Sequence, residues 1–269
     1  GMAATNSVRE RTGNVSAGTS VFSMVVLEKP LSQVYPEIDM VTTPDGKPVA
    51  MVHVNTCTSD LDAWVKLFAQ LLEAAGAKLT KPQLYDLLYF QALEGAPDCG
   101  GLVSYNCYSG EPVTGLGEGR PLLMRQPENK LTLPNFMRAQ LYAAMATLAI
   151  GMDLLWQEKV QVEKLYGHGG LFKTKGVGQR LLAGALGVPV AVMETAGEGG
   201  PWGMALLAAY RKNRQEGQCL ADYLENQVFA GAAGDCVSPD PADQEGFARY
   251  IRRYQAGLAV EKAAGQALR

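Results

Sequence analysis

The chain has 269 residues, 47% hydrophobic and 19% charged, with a formal net charge of −3. That length suits one large domain or two small ones, and the balance is that of an ordinary globular protein. The weak negative charge, with no Lys/Arg block to override it, argues against a general nucleic-acid or anionic-membrane surface. Five dispersed cysteines without a C-x-x-C pair argue against a disulfide framework and fit a reduced, cytoplasmic setting. His53 and His168 are the two histidines, too few for a His-rich metal site. No signal-peptide pattern is visible, and the longest apolar stretch, Leu141 to Trp156, reads as short of a membrane span. Gly1 before Met2 reads as the remnant of tag cleavage, so the natural product is expected to begin at Met2.

Along the chain, strands are expected at 13–17 and 21–28, joined at Gly18-Thr19-Ser20. The run Gly13 to Ser20 has P-loop spacing, but Thr19 stands where the lysine belongs and β-branched and aromatic residues follow. The segment therefore reads as a hairpin. Such a turn can still hold phosphate through backbone N–H and hydroxyl donors. A turn-rich bridge over 35–48 leads to a strand at 49–54. Ser59-Asp60-Leu61-Asp62 reads as a capping box with Ser59 at the N-cap, opening an amphipathic helix that carries Trp64 and Phe68. Thr80-Lys81-Pro82-Gln83 repeats the device for a helix ending near Gly95. Segment 96–132 reads as a long loop around one buried strand, Leu102 to Tyr105, and an apolar helix follows from Leu133 to Gln157. A strand over 160–166 then meets Gly167-His168-Gly169-Gly170 and a helix over 171–186. Pro189 to Met193 reads as a short buried strand, Gly197 to Gly203 as the lead into a helix over 202–212, and 240–269 as a C-terminal helical tail. Alternating strands and helices indicate a layered α/β fold.

Thirty glycines exceed the usual share of about 7%, and they gather around 95–119, 167–187 and 197–203. A strand, then Gly167 to Gly170, then a helix is an arrangement in which a ligand meets a helix start at the carboxyl edge of a sheet. The G-x-G-x-x-G spacing is absent, which disfavours a dinucleotide-dependent oxidoreductase. A flat ring can instead lie on the bare Gly169-Gly170 backbone. No G-x-S-x-G elbow occurs. Asp60 and Asp62 read as helix-start carboxylates, His53 as a hydrogen-bonded core histidine, and Trp64 and Trp202 as packing residues.

Four segments in order resemble the C-terminal half of an FGGY-family carbohydrate kinase, nearest to its xylulokinase-like branch. Gly18-Thr19-Ser20 resembles the family's second phosphate-binding turn, and Asn55 to Phe68 the helix beside the nucleotide. Ser109-Gly110-Glu111-Pro112 resembles the S-G-E-R-x-P loop, and Arg138-Ala139 the R-A helix. Gly169-Gly170-Leu171 through Gln179, with Leu186 to Val190 and Gly203 to Ala208, resembles the adenosine motif and its supporting helix. Val113 breaks the loop pattern, and Tyr142 stands where the R-A helix often carries glutamate.

The resemblance implies a ribonuclease H-like, actin/hexokinase-type α/β domain with a mixed sheet flanked by helices, spanning 2–269. It implies ATP, carried with Mg²⁺, as the bound nucleotide. Gly18, Thr19 and Ser20 would contact its phosphates, Gly170 and Thr174 its adenosine, with Gly169 shaping the turn and Ser59 on the adjoining helix. No catalytic residue is expected within the chain, since the family's catalytic aspartate falls upstream of Met2. The sugar substrate, a ketose or polyol, is expected to bind only with the missing N-terminal half. Neither nucleic acid nor membrane is an expected partner, and an exposed cleft surface would favour a homodimer. The alternative is a truncated or degenerate, non-catalytic nucleotide-binding protein.

Overall fold

A computed structural model describes residues 1–194, 199–232 and 234–268. Among the described residues, nine strands run as β1 Thr12–Ala17, β2 Val21–Val26, β3 Ile38–Thr42, β4 Pro48–Val54, β5 Val103–Tyr105, β6 Leu122–Met124, β7 Lys164–His168, β8 Val190–Val192 and β9 Asp235–Val237. The helices are α1 Ser59–Ala74, α2 Lys81–Leu93, α3 Leu133–Gln157, α4 Val177–Leu186, α5 Gly199–Asn213, α6 Leu220–Tyr223 and α7 Pro241–Ala267. Seven strands form one mixed sheet in the order β3-β4-β2-β1-β7-β8-β9, and β5 pairs with β6 apart from it. The β1–β2 hairpin is antiparallel, whereas β7 runs parallel to both β1 and β8. β1 therefore sits beside a parallel strand and at the tip of a hairpin at once, which brings the 18–20 turn to the carboxyl end of β7.

The two sheet faces bury different sets of residues. Val15 and Ala17 of β1 join the main core with α1, α2, α3, α4 and α7. Met24 and Tyr166, on the opposite face, join a second core with Met2, Leu206 and Tyr223. This is a mixed sheet covered by helices on both sides, as the fold class requires. α3 is the central core helix, with Met137, Leu141, Met145 and Met152 fully buried. Contrary to the reading of its apolar stretch as too short, α3 is long and apolar enough to cross a membrane; 78% of its apolar window is buried within the fold.

Several local expectations are corrected. β3 lies in the bridge read as turns, and β6 in the segment read as loop. β7 begins at Lys164 rather than 160, because its pairing with β1 starts at Thr12 and continues to His168. Gly167 is thus a strand residue, and a Cβ there would lie 2.7 Å from the Phe172 ring. α4 begins at Val177, because Gly176 at φ +81° interrupts the helix that would otherwise run from 171. α5 begins at Gly199; Gly197 and Glu198 lie outside the described residues. Ser59 caps nothing: Thr58 precedes α1 with no side-chain cap, and Asp62 instead accepts a 2.7 Å bond from the Tyr85 hydroxyl. Asp60 is buried and accepts from Trp64 Nε1 at 3.1 Å, so it anchors packing around α1. His53 is exposed on the outer face of β4, not in the core. At α2 the capping box is present, with Gln83 Oε1 2.9 Å from the Thr80 amide.

One buried ion pair ties the end of the chain to α3. Arg138 and Asp243 are each 1% exposed and bonded to each other, and Arg180 of α4 reaches the same carboxylate at 2.6 Å. Arg138 also donates to the Tyr142 hydroxyl at 3.1 Å and to the Gly95 carbonyl at 3.2 Å. The carboxylate absent at position 142 is thus supplied to Arg138 from α7.

Candidate functional site

A cleft of about 410 Å³ opens at the carboxyl edge of β7, between α2 and the turn before α4. Its walls include Thr58, Asp62, Lys81, Tyr85, Gly170 and Thr174. Thr174 is buried and donates a 2.8 Å bond to Asp86 Oδ1, which fixes the α2 wall against the turn. Tyr85 and Tyr89 pack edge-on at 5.8 Å, and Lys81 lies 5.6 Å from the Tyr85 ring centroid. Burial, then the bond to Asp62, push the Tyr85 hydroxyl well above its ordinary pKa, so it remains a neutral donor. The cleft has the mixed aromatic and polar lining that a ring-bearing ligand requires.

The two glycine junctions meet here. β1 and β7 pair through Ser16 and His168, so the residues that follow each strand are neighbours. Gly169 adopts φ +103°, and a Cβ there would stand 2.4 Å from the Ala17 carbonyl oxygen. Its bareness is a demand of the fold. Gly170 is different: a Cβ there would meet only that same oxygen, at 3.9 Å, so its open backbone faces space. Nothing in the packing requires glycine at 170; a ligand on that backbone would.

The 18–20 turn is clasped from the side of α1. Cys57 and Thr58 donate backbone bonds of 2.8 and 3.1 Å to the carbonyls of Thr19 and Gly18, and the Thr58 hydroxyl adds a 2.9 Å bond to Gly18. The Gly18 N–H closes the hairpin on Ser20 at 2.9 Å, so Gly18 shapes the turn while Thr19 presents an exposed side chain. The clasp is itself held by Glu111. Its fully buried carboxylate accepts from the Asn55 and Thr56 amides at 3.0 and 2.8 Å. Burial raises its pKa against the lowering effect of those two donors. The S-G-E segment therefore acts in this chain as a brace behind the 55–58 strap.

Of the residues expected from sequence, Gly170 and Thr174 line the cleft, Gly18 adjoins it through its bond from Thr58, and Gly169 directly precedes Gly170. Thr19 and Ser20 stand at the tip of the turn. Ser59 is outside the cleft wall, where its neighbour Thr58 takes the place expected of it. Sequence reasoning missed Thr58, Asp62, Lys81, Tyr85 and Tyr89. The last three recur at i, i+4 and i+8 on α2, one helical face, and that spacing was a usable signal.

Comparison with known proteins agrees with this architecture. The model of the FGGY family of carbohydrate kinases, C-terminal domain, matches residues 13–211. The chain belongs to that family and is its C-terminal, ribonuclease H-like half. Its fold is similar to a xylulose kinase from Rhodospirillum rubrum, with a TM-score of 0.75 and 18% identity over 96% of this chain and 49% of the other. A ligand-bound xylulose kinase from Lactobacillus acidophilus gives 0.71 and 16%, covering 100% of this chain and 51% of that one. A Plasmodium falciparum glycerol kinase with ADP gives 0.65 and 15%, covering 97% and 49%. The chain thus spans about half the length of these structures. No curated protein matches it by sequence.

Proposed function

We propose that the chain is the nucleotide-binding half of an ATP-dependent carbohydrate kinase, whose complete form transfers the γ-phosphate to a hydroxyl of a ketose or polyol, xylulose-like. The observation that carries this reading is Gly170, a glycine that packing does not require, exposed on the wall of a cleft beside the 18–20 turn. Adenosine would lie on the Gly170 backbone near Thr174 and Tyr85. The phosphates would run toward Thr19 and Ser20, where a hydroxyl-bearing turn offers donors. Mg²⁺ would be carried with the phosphates of the nucleotide. There it would neutralise charge on the transferring group. The sugar pocket belongs to the other half of the kinases that this chain resembles.

Calorimetric titration with ATP tests the reading. Gly170→Asp should lower affinity at least tenfold by placing a carboxylate under the ring and near phosphate charge. The stability of the variant should not change, since its Cβ meets open space. Unchanged ATP affinity in a folded Gly170→Asp variant would refute the placement. A coupled assay over D-xylulose, L-ribulose and glycerol, run on the kinase with both halves present, tests the acceptor class.

A further inference from the structure

Asp62 carries an acceptor that the fold leaves unused. It is half-buried on the cleft wall, and its Oδ1 accepts the 2.7 Å bond from the Tyr85 hydroxyl. Its Oδ2 takes part in no hydrogen bond among the described residues, yet it is not sealed from solvent. The tyrosine thus fixes the carboxylate and leaves one oxygen free to accept a second donor.

A run of short contacts orders this wall. The Thr58 hydroxyl holds the Gly18 carbonyl at 2.9 Å, and the Asp62 N–H holds the Thr58 carbonyl at 2.8 Å. Tyr85 then holds Asp62, and Thr174 holds the next residue of α2, Asp86, at 2.8 Å. Thr58, Asp62, Tyr85, Asp86, Gly170 and Thr174 all border the same cavity. Asp62 and Tyr85 therefore stand between the 18–20 turn and the Thr174 end. A nucleotide with its ring on Gly170 and its phosphates at Thr19 places its ribose along that middle stretch. The chemistry agrees, because a carboxylate repels phosphate oxygens but accepts from a hydroxyl, and the ribose carries the hydroxyls of such a ligand. Taking the proposed cleft as the nucleotide site, we infer that Asp62, oriented by Tyr85, accepts a hydrogen bond from the ribose hydroxyls and makes the site selective for ribonucleotides. A site built around a hydroxyl rejects an analogue lacking it, since its own polar group is then left unpaired. Lys81 and Lys173 border the same cavity and offset the carboxylate charge as the phosphates approach.

The test is calorimetry on the intact chain with ATP and 2′,3′-dideoxyATP as separate ligands. The unaltered chain should bind ATP about tenfold more tightly than the dideoxy analogue. Asp62→Ala should bring the two affinities within about twofold of each other, chiefly by weakening ATP. Tyr85→Phe keeps the ring but frees the carboxylate, and should lose part of the preference. Asp62→Asn keeps one acceptor oxygen and should retain more of it than alanine does. Equal affinities of the unaltered chain for the two nucleotides would overturn the inference and leave the cleft reading intact, and that outcome depends on no variant folding. An Asp62→Ala chain with an unaltered ratio, even at weaker binding of both, would also overturn it, since a purely structural tie between α1 and α2 affects both ligands alike. If the unaltered chain binds neither nucleotide, the cleft reading falls and this inference falls with it.

Discussion

Replacing Asp243 by alanine should destabilise the chain by about 3–5 kcal/mol, the cost of leaving a buried charge without its counter-ion. The size of this cost is set by burial. Arg138 and Asp243 are each 1% exposed, so water cannot replace the lost carboxylate around the guanidinium. The Gly95 carbonyl and the Tyr142 hydroxyl remain near Arg138, but both are neutral. The second ion pair, to Arg180, adds at most about 1 kcal/mol, because that arginine is 39% exposed and can turn to solvent. Asp243→Asn keeps the shape and one acceptor and should cost roughly half as much as alanine. Urea unfolding followed by fluorescence measures these differences, and the slope with denaturant should not change. The double variant Arg138→Met/Asp243→Leu should be more stable than Asp243→Ala alone, since it removes the stranded charge. An Asp243→Ala variant within about 1 kcal/mol of the unaltered chain would refute the argument, because it would mean that α7 does not seal the pair.

Two further predictions probe the site. Glu111 has its folded pKa raised by burial, so the folded chain holds a proton that the unfolded chain releases just above the ordinary carboxylate value of 4.5. Stability from this group is greatest below that pH and is lost as pH rises through the raised pKa, and Glu111→Gln should flatten this slope. Matching slopes in urea titrations from acid to neutral pH would count against it, although Asp60 and Glu261, also raised by burial, keep the slope from vanishing. Gly169→Ala should cost roughly 2 kcal/mol or more, since φ +103° and the Ala17 carbonyl both oppose a Cβ. Thermal unfolding of the neighbouring alanine variants should separate them, with Gly170→Ala within about 0.5 kcal/mol of the unaltered chain.

The hairpin, α2 and α3 were legible in the sequence because their determinants are local. Gly18-Thr19-Ser20 sits between β-branched runs, Thr80 and Gln83 form their own capping box, and Leu133 to Gln157 sustains an apolar helical pattern. Ser59 shows how a local rule fails. Its motif was correct for a cap, but the hairpin turn had already claimed the preceding Thr58 hydroxyl through Gly18. β3, β6 and β9 were not legible, since strands of three to five residues with weak alternation exist only through their partners.

By itself the sequence determined the family, the layered α/β class and the two glycine junctions, since each is written in contiguous residues. Only the tertiary structure decided what those residues do. It separated Gly169, which the Ala17 carbonyl forbids from carrying a side chain, from Gly170, which nothing in the fold constrains. It turned Glu111 into a brace for backbone amides 55 residues away and gave Arg138 its counter-charge from Asp243, 105 residues on. Such pairings depend on where the chain returns in space, and strand register and helix packing fix that return rather than any local pattern.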